Sequence, residues 1–353
     1  RRCSSMVATA RPDGRGGGMR AAVLHGPRDL RVESVAPPDV DGDEVLVRVA
    51  AIGLCGTDYR IWSGDRPVRY PLVMGHELVG TVVRHGPAAP VQIGDRVAVE
   101  PNYSCGTCPL CREGNRNLCL GRVAVGIDVD GGFAELVKVP GRCCWPAPAD
   151  VDDARLMLVE PLAVVVRAVG RGHPAPGESA AVLGVGSLGL LAVQVLKGRG
   201  LRVLAVARSG RRLDLARAVG ADQVAAIAAG DPALAAREFS GREGVDLVIE
   251  TAGTPEAVAQ AIDLVRPGGR IVLTGLPHEP SSLSFFPVVR REISIAGSMI
   301  YQDEFAEAVR LLASGSVRAD PLVTHRFPLA DIGAAFAAHR TPEAIKVAVF
   351  PQA

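Results

Sequence analysis

The stretch that decides the fold is SAAVLGVGSLGLLAVQVLKGRG, residues 179–200. Its first five residues form a short apolar run typical of a buried strand, a glycine-rich turn follows, and a long helical stretch completes the unit. Short apolar runs recur at LRVLAVA (201–207), VDLVIE (245–250) and GRIVLTG (269–275), with alanine-rich helical stretches between them. Strands and helices that alternate in this way predict an α/β fold with a doubly wound parallel sheet.

The glycine-rich turn has the spacing G-x-G-x-x-G and lies directly between a predicted strand and a predicted helix. Glycine at the first position allows a tight turn, at the second a close approach to a pyrophosphate, and at the third close packing of helix on strand. The helix N-terminus offers free N–H groups to the phosphates. An ordinary glycine turn is the alternative, but the setting predicts a dinucleotide site at Gly184, Gly186, Ser187, Leu188 and Gly189.

The end of the second predicted strand indicates which dinucleotide is used. NAD sites of this kind carry an acidic residue there, which hydrogen-bonds the ribose hydroxyls. Here the position is Ala207, followed by Arg208, Ser209 and then Arg212 at the start of the next helix. A guanidinium can grip a 2′-phosphate through two charge-assisted hydrogen bonds. The pattern therefore predicts NADP(H), and NAD(H) is the alternative if these arginines are only a solvated helix start.

The chain from Met19 to about Val139 has a different pattern. Short strands are separated by Gly and Pro; Val45, Val47 and Val49 alternate with other residues in a period of two. This favours a β-rich, barrel-like region. Towards the other end, an amphipathic helix with Phe305, Val309 and Leu312 on one face closes at Gly315, and a strand-like KVAVF follows.

Four cysteines crowd into residues 105–119 with the spacing C-x2-C-x2-C-x7-C: Cys105, Cys108, Cys111 and Cys119. One loop of this kind can wrap four thiolates tetrahedrally around a structural Zn²⁺. Four reduced thiols and an iron–sulfur cluster are the alternatives.

A second group of candidate ligands is dispersed along the chain. Cys55 lies in GLCGTD, His76 and Glu77 lie in GHE, and Glu160 lies in VEPLA. A catalytic zinc uses few protein ligands and keeps one position open, which a Cys/His/carboxylate set provides. Taken singly, a buried cysteine is usually packing and a lone histidine is usually a satisfied polar group.

Composition limits the remaining possibilities. With 353 residues, 48% of them hydrophobic, the chain can bury a core large enough for two domains. Its 39 basic and 38 acidic residues nearly cancel, so neither a nucleic acid nor an anionic membrane is expected as a partner. No apolar run approaches the ~20 residues of a membrane span. The clustered cysteines favour metal binding in a reducing cytoplasm.

Residues 1–18 (RRCSSMVATARPDGRGGG) are rich in Arg, Gly and Ser and lack the apolar segment of a signal peptide. We expect a disordered leader, either an upstream extension or a cloning remnant. A short basic tail that binds a partner is the alternative.

Taken together, these motifs resemble the zinc-containing medium-chain dehydrogenase/reductase superfamily over almost all of 19–353. The resemblance rests on GLCGTD (53–58), GHELVG (75–80), GDRVAVEP (94–101), the four-cysteine loop, VEPLA (159–163) and GVGSLG (184–189). It implies a GroES-like β-barrel catalytic domain, residues 19–165 and 300–353, with an inserted Rossmann domain, residues 166–299. It also implies a homodimer or homotetramer that assembles near 285–300.

The resemblance assigns roles to individual residues. Cys55 and His76 carry the catalytic zinc, Glu77 or Glu160 completes its shell as in the polyol and threonine dehydrogenases, and Thr57 passes the substrate proton outward. Arg60 occupies the position of a relay histidine, but arginine stays protonated and cannot shuttle a proton. The implied reaction moves a hydride between an alcohol or polyol, or the corresponding ketone, and NADP(H) or NAD(H).

Two other readings remain. A non-catalytic relative kept for binding would have no use for an open zinc position. A zinc-free quinone or enoyl reductase of the same fold would lack the four-cysteine loop and the pair of Cys55 and His76. The sequence does not name the substrate.

Overall fold

The computed structural model describes residues 18–208, 210–277, 279–280 and 282–353. Most of the expected leader, and Ser209, therefore lie outside the described residues. The chain divides into two compact units: unit 1 runs to Glu160 and resumes at Val323–Ala353, and unit 2 is Pro161–Leu322. Within the described ranges, no helix combines the length and the apolar character needed to cross a membrane.

The described residues form strands and helices along the whole chain. The strands are β1 Met19–Gly26, β2 Asp29–Val35, β3 Glu44–Leu54, β4 Leu72–Val73, β5 Glu77–His85, β6 Arg96–Val99, β7 Asn102–Tyr103, β8 Val123–Ala124, β9 Leu136–Pro140, β10 Cys144–Pro146, β11 Ser179–Leu183, β12 Arg202–Ala207, β13 Gln223–Ala226, β14 Val245–Glu250, β15 Val265–Leu273, β16 Ser294–Gly297, β17 Val323–Pro328 and β18 Lys346–Phe350.

The helices are α1 Gly56–Ser63, α2 Pro109–Arg112, α3 Asp153–Leu156, α4 Val159–Arg171, α5 Ser187–Gly198, α6 Arg211–Ala218, α7 Pro232–Ser240, α8 Pro255–Leu264, α9 Phe286–Arg290, α10 Phe305–Ala313 and α11 Ile332–His339. Short 3-10 helices span Arg116–Leu118, Gly141–Cys143, Ile227–Ala229, Asp320–Leu322 and Leu329–Asp331.

Unit 2 contains a parallel sheet in the order β13-β12-β11-β14-β15-β16. Counted from β11, this is the 3-2-1-4-5-6 order of a doubly wound dinucleotide-binding sheet. All residues of β11 and β14 are buried, which explains why apolar residues predominate in both strands. The sheet order reverses between β11 and β14, so ligands are expected at the carboxyl ends of these two strands.

A buried carboxylate joins these two strands at their opposite ends. Asp246 accepts hydrogen bonds from the Ser179 N–H at 2.8 Å, the Ser179 hydroxyl at 2.7 Å and the Arg266 Nε at 2.7 Å. Burial raises the pKa of Asp246, but these hydrogen bonds and the Arg266 charge outweigh it and lower the pKa to about 2. These hydrogen bonds hold β11, which leads into the glycine turn, in register with β14, which leads into residues 251–253.

Residues 300–322, expected in the catalytic domain, lie in unit 2. Two contacts explain this placement. The Gln194 side chain, on α5, exchanges hydrogen bonds with the Arg318 backbone at 2.7 and 3.2 Å, and Arg199 pairs with Glu307 at 3.0 Å.

In the amphipathic helix α10, Ala308 rather than Val309 is buried beside Phe305 and Leu312.

Unit 1 is built from largely antiparallel sheets around one core. Strand β3 is central: it pairs with β5, β9 and β18, and β18 in turn pairs with β17. The last strand of the chain therefore lies beside a strand formed near its beginning. The alternating valines of β3 are buried, as their period of two predicts. The predicted fold class, a β-barrel-like domain with an inserted doubly wound sheet, is confirmed.

Candidate metal centres and cofactor turn

The four-cysteine loop brings its sulfur atoms together. The Sγ–Sγ distances are 3.4 Å for Cys105–Cys119, 3.5 Å for Cys108–Cys111, 3.9 Å for Cys108–Cys119 and 4.0 Å for Cys105–Cys111. Zinc bound to four sulfurs at about 2.3 Å in tetrahedral geometry needs sulfur separations in this range. The residues present therefore fit a closed zinc site.

Backbone N–H groups of the loop point at the sulfur atoms. Cys105 N donates to Cys119 Sγ and Gly121 N to the same atom, both at 3.3 Å, and Cys108 N donates to Cys105 Sγ at 3.4 Å. The N–H groups of Thr107 and Cys108 lower the pKa of Cys105 to about 6. Burial and the neighbouring sulfurs instead raise the pKa of Cys111 to about 11. Since metals bind the thiolate and not the thiol, the backbone prepares Cys105 for a cation, whereas Cys111 must lose its proton as the metal binds.

A second group of ligand atoms lies at the start of α1. Atoms of Cys55, His76 and Glu77 lie within 4.8 Å of one another. Cys55 is the N-cap of α1: the Thr57 N–H points at Cys55 Sγ at 3.5 Å, and Cys55 N donates to Asp58 Oδ2 at 2.8 Å. This reciprocal capping fixes the sulfur at the electropositive end of the helix. A sulfur, an imidazole and a carboxylate at this separation are a donor set for zinc.

Asp58 positions the histidine of this group. Its fully buried carboxylate places Oδ1 3.3 Å from His76 Nδ1, and neither atom has an aligned hydrogen-bond partner. Burial lowers the pKa of His76, but the charges of Asp58 and Cys55 outweigh it and raise the pKa well above its usual value. The sequence analysis missed Asp58, although its spacing from Cys55 is that of a capping box.

Glu77 forms a buried ion pair with Lys346, the first residue of β18. Lys346 Nζ lies 2.7 and 2.6 Å from the two carboxylate oxygens, and both side chains are almost wholly buried. Glu160, also buried, lies outside the compact group of three. Burial and the Glu77 charge raise the pKa of Glu160 to about 7, against the opposing effect of His76 and Lys346. Lys346 is a second residue that the sequence analysis missed.

The glycine turn in unit 2 has the expected geometry. Gly184 has φ +91°, in the left-handed region that favours glycine, and a Cβ on Gly189 would collide with the Gly184 carbonyl oxygen. A Cβ on Gly186 would meet nothing within 4 Å, so open space lies beside the N-cap of α5. The Thr251 hydroxyl donates to the Gly184 oxygen at 2.6 Å and braces the turn. A pyrophosphate fits this turn.

The residues predicted to bind the ribose hydroxyls or a 2′-phosphate of the dinucleotide lie at the carboxyl end of β12. Ala207 is the last residue of the strand and is buried, and Arg208 is exposed. Burial and the nearby Arg208 charge both lower the pKa of Arg212, so the two positive charges lie close enough to interact. Ser209 lies outside the described residues.

Two family models match the chain: the alcohol dehydrogenase GroES-like domain over residues 41–149, and the zinc-binding dehydrogenase family over residues 187–314. Sorbitol dehydrogenase of Bacillus subtilis (strain 168) is 33% identical over 94% of this chain and 97% of that protein.

Two solved structures are similar throughout. A protein from Sinorhizobium meliloti 1021 assigned as a zinc-binding dehydrogenase, bound to NADP, has a TM-score of 0.91 at 35% identity and covers 95% of this chain and 99% of its own. An alcohol dehydrogenase (rspB) from Escherichia coli CFT073, complexed with NADH, has a TM-score of 0.89 at 30% identity and covers 95% and 100%.

Fold, ligand sets and similarity define a zinc-dependent oxidoreductase. The chain belongs to the zinc-containing medium-chain dehydrogenase/reductase superfamily, in its polyol dehydrogenase-like branch. It is a dehydrogenase that transfers a hydride between an alcohol or polyol and a nicotinamide cofactor. The family and the enzyme class predicted from the motifs are confirmed.

Replacing Lys346 by Met tests the buried ion pair. In the zinc-free protein it leaves Glu77 buried without a partner, and the free energy of unfolding should fall by about 3–5 kcal/mol. Thermal denaturation after removal of zinc measures the change. The matched control is Lys138→Met, which removes a half-exposed pair with Glu44 at 3.0 Å and should cost less than about 1 kcal/mol. Equal losses in the two variants would contradict the burial argument.

Proposed function

We propose that Cys55, His76 and Glu77 hold the catalytic zinc, with Glu160 as the alternate carboxylate, and that the substrate is a secondary alcohol or polyol. The observation that supports this most directly is the convergence of a sulfur, an imidazole and a carboxylate within 4.8 Å at the start of α1. Zinc in this set supplies Lewis-acid chemistry, and the nicotinamide cofactor supplies the hydride acceptor.

The chain's own residues supply orientation and proton transfer. Thr57 lies two residues beyond Cys55 in the first turn of α1 and is partly exposed, so its hydroxyl can take a proton from the substrate hydroxyl and pass it outward. Arg60 lies one turn further on, where it can orient a ligand but cannot accept a proton. The proton therefore leaves through Thr57 to water or ribose.

Substitutions at α1 and at His76 test this assignment. Cys55→Ser and His76→Ala should abolish turnover of polyols, while binding of the dinucleotide, which rests on unit 2, should persist. Thr57→Val should retain zinc and slow the proton-coupled step by about two or more decades. Steady-state rates, metal analysis and fluorescence titration of the reduced cofactor provide the readouts. Near wild-type turnover in Cys55→Ser or His76→Ala would overturn the assignment.

We also propose a structural zinc at Cys105, Cys108, Cys111 and Cys119, which gives two zinc ions per chain. Such sites can contribute roughly 10 kcal/mol to local folding. Cys108→Ser should lose one zinc and lower the thermal midpoint, while the Cys55 site stays able to bind metal. The control is Cys143→Ser, which changes a buried cysteine outside both ligand sets. Unchanged zinc content in Cys108→Ser would exclude the site.

For the cofactor we propose a preference for NADP(H), with NAD(H) as the alternative, since the two similar structures carry one each. The neighbouring positive charges of Arg208 and Arg212, with Ala207 in place of a carboxylate, favour a 2′-phosphate. Ser209 is expected to add a hydroxyl.

Two substitutions should shift the cofactor preference towards NAD(H). Arg208→Ala should weaken NADP(H) by about one to two decades and NAD(H) much less, because a charge-assisted contact of roughly 1–3 kcal/mol is lost. Ala207→Asp should move the preference towards NAD(H). Initial rates with both cofactors measure kcat/KM, and a wild-type enzyme equally efficient with NAD(H) would refute the preference.

The last two proposals concern the oligomeric state and the cellular compartment. We propose a homodimer or homotetramer through the edge strand β16 and its surroundings, where Phe285, Phe286 and Val289 are 64%, 72% and 77% exposed. We propose a reducing, cytoplasmic setting, which keeps the four clustered thiols available for metal. Light scattering at micromolar concentration should give at least a dimer, and a monomer would count against the interface.

A further inference from the structure

Helix α1, which begins at the catalytic centre, is surrounded by positive charge. We call Arg28, Arg60, Arg66 and Arg340 the arginine rim. The Arg28 guanidinium lies over the Trp62 ring at 5.8 Å and that of Arg340 over the Tyr59 ring at 4.7 Å. The backbone also links these segments: Arg66 N donates to the Arg60 carbonyl at 3.0 Å, and Arg28 N donates to the Trp62 carbonyl at 2.6 Å.

Among the described residues, no carboxylate forms an ion pair with any member of the rim. The acids of this segment have other partners. Asp58 is bound to Cys55 and faces His76, while Asp65 accepts a hydrogen bond from the Ser63 hydroxyl at 2.8 Å. Within the described part of unit 1, five other arginines do form ion pairs with carboxylates: Arg20, Arg31, Arg84, Arg96 and Arg142. The rim is therefore a local excess of positive charge.

Arg60 is the member of the rim nearest in the chain to Thr57. Its side chain is partly exposed, and its Nε has no hydrogen-bond partner among the described residues. The exposed part of a guanidinium binds a carboxylate or a phosphate through charge-assisted hydrogen bonds. Arg60 and Thr57 are three residues apart on α1, so their Cβ atoms share a face at a distance of about 5–6 Å. A short carbon skeleton spans that distance.

We propose that the substrate is an alcohol carrying an anionic group, a carboxylate or a phosphate, a few carbons from the carbon that is oxidised. Arg60 and Arg66 bind this group while Thr57 contacts the reacting hydroxyl. The inference rests on the proposed role of Cys55 and Thr57. It adds a substrate class, because a neutral polyol leaves the rim without a counter-charge.

Binding to the zinc-loaded, full-length protein tests the proposal without relying on turnover. Calorimetric titration in the presence of the reduced cofactor compares galactitol, galactonate and galactitol 1-phosphate, which share most of their hydroxyls and differ in charge. At least one anion should bind roughly ten- to a hundred-fold more tightly than galactitol, as expected for a charge-assisted hydrogen bond. The tighter of the two anions identifies the group as carboxylate or phosphate.

Arginine substitutions locate the effect. In Arg60→Ala and Arg66→Ala the ratio of anion to galactitol affinity should fall towards one, and Arg66→Lys should retain part of it. The matched control is Arg84→Ala, which removes an arginine that binds the Pro38 carbonyl at 2.7 Å, and it should leave the ratio unchanged.

Three results would overturn the proposal: galactitol binding as tightly as both anions, substitutions that weaken all three ligands equally, or substitutions that weaken only the dinucleotide. The last result would assign the rim to cofactor phosphates. Tight anion binding without any turnover when the oxidised cofactor is supplied would instead contradict the proposed zinc chemistry and leave the anion site standing.

Discussion

The buried ion pair between Glu77 and Lys346 is the constraint on which the catalytic unit depends. Its partners are 269 residues apart in sequence, and both are almost fully buried. Neither charge is tolerable in that interior alone, so β5, which begins at Glu77, and β18 must both lie next to β3, where the two side chains can pair across it. The ion pair ties the last strand of the chain to the first part of unit 1 and places a lysine charge beside the residues proposed to bind zinc.

The parts of the molecule predicted from sequence are those encoded by local pattern. Periodicity located β3, β11 and β14, and close cysteine spacing located a loop whose sulfur atoms do converge. Long-range contacts were not predictable in this way. The side chain of Gln194 holds the backbone of Arg318 and keeps residues up to Leu322 in unit 2, a contact with no local signature. The sequence places Lys346 at the start of a strand-like KVAVF, and only the tertiary structure shows that Glu77 is its partner.

A single buried carboxylate organises the residues proposed to bind the catalytic zinc. Asp58 caps α1 through the Cys55 N–H and faces His76 with its other oxygen, so one buried carboxylate orients two proposed ligands. Because the tertiary structure brings these residues together, each of them taken singly was a weak signal in the sequence. Arg60, on the same helix, cannot relay a proton. Its unpartnered Nε instead suggests a binding role, which connects a departure from the family pattern to the choice of substrate.

The central claim is that two zinc ions occupy two distinct ligand sets in each chain. Diffraction from crystals of the zinc-replete protein, recorded on both sides of the zinc absorption edge, tests it directly. The account predicts two anomalous peaks per chain, one among the four sulfurs of Cys105, Cys108, Cys111 and Cys119 and one within bonding distance of Cys55 Sγ and the His76 ring. A map with no peak between Cys55 and His76 would contradict it.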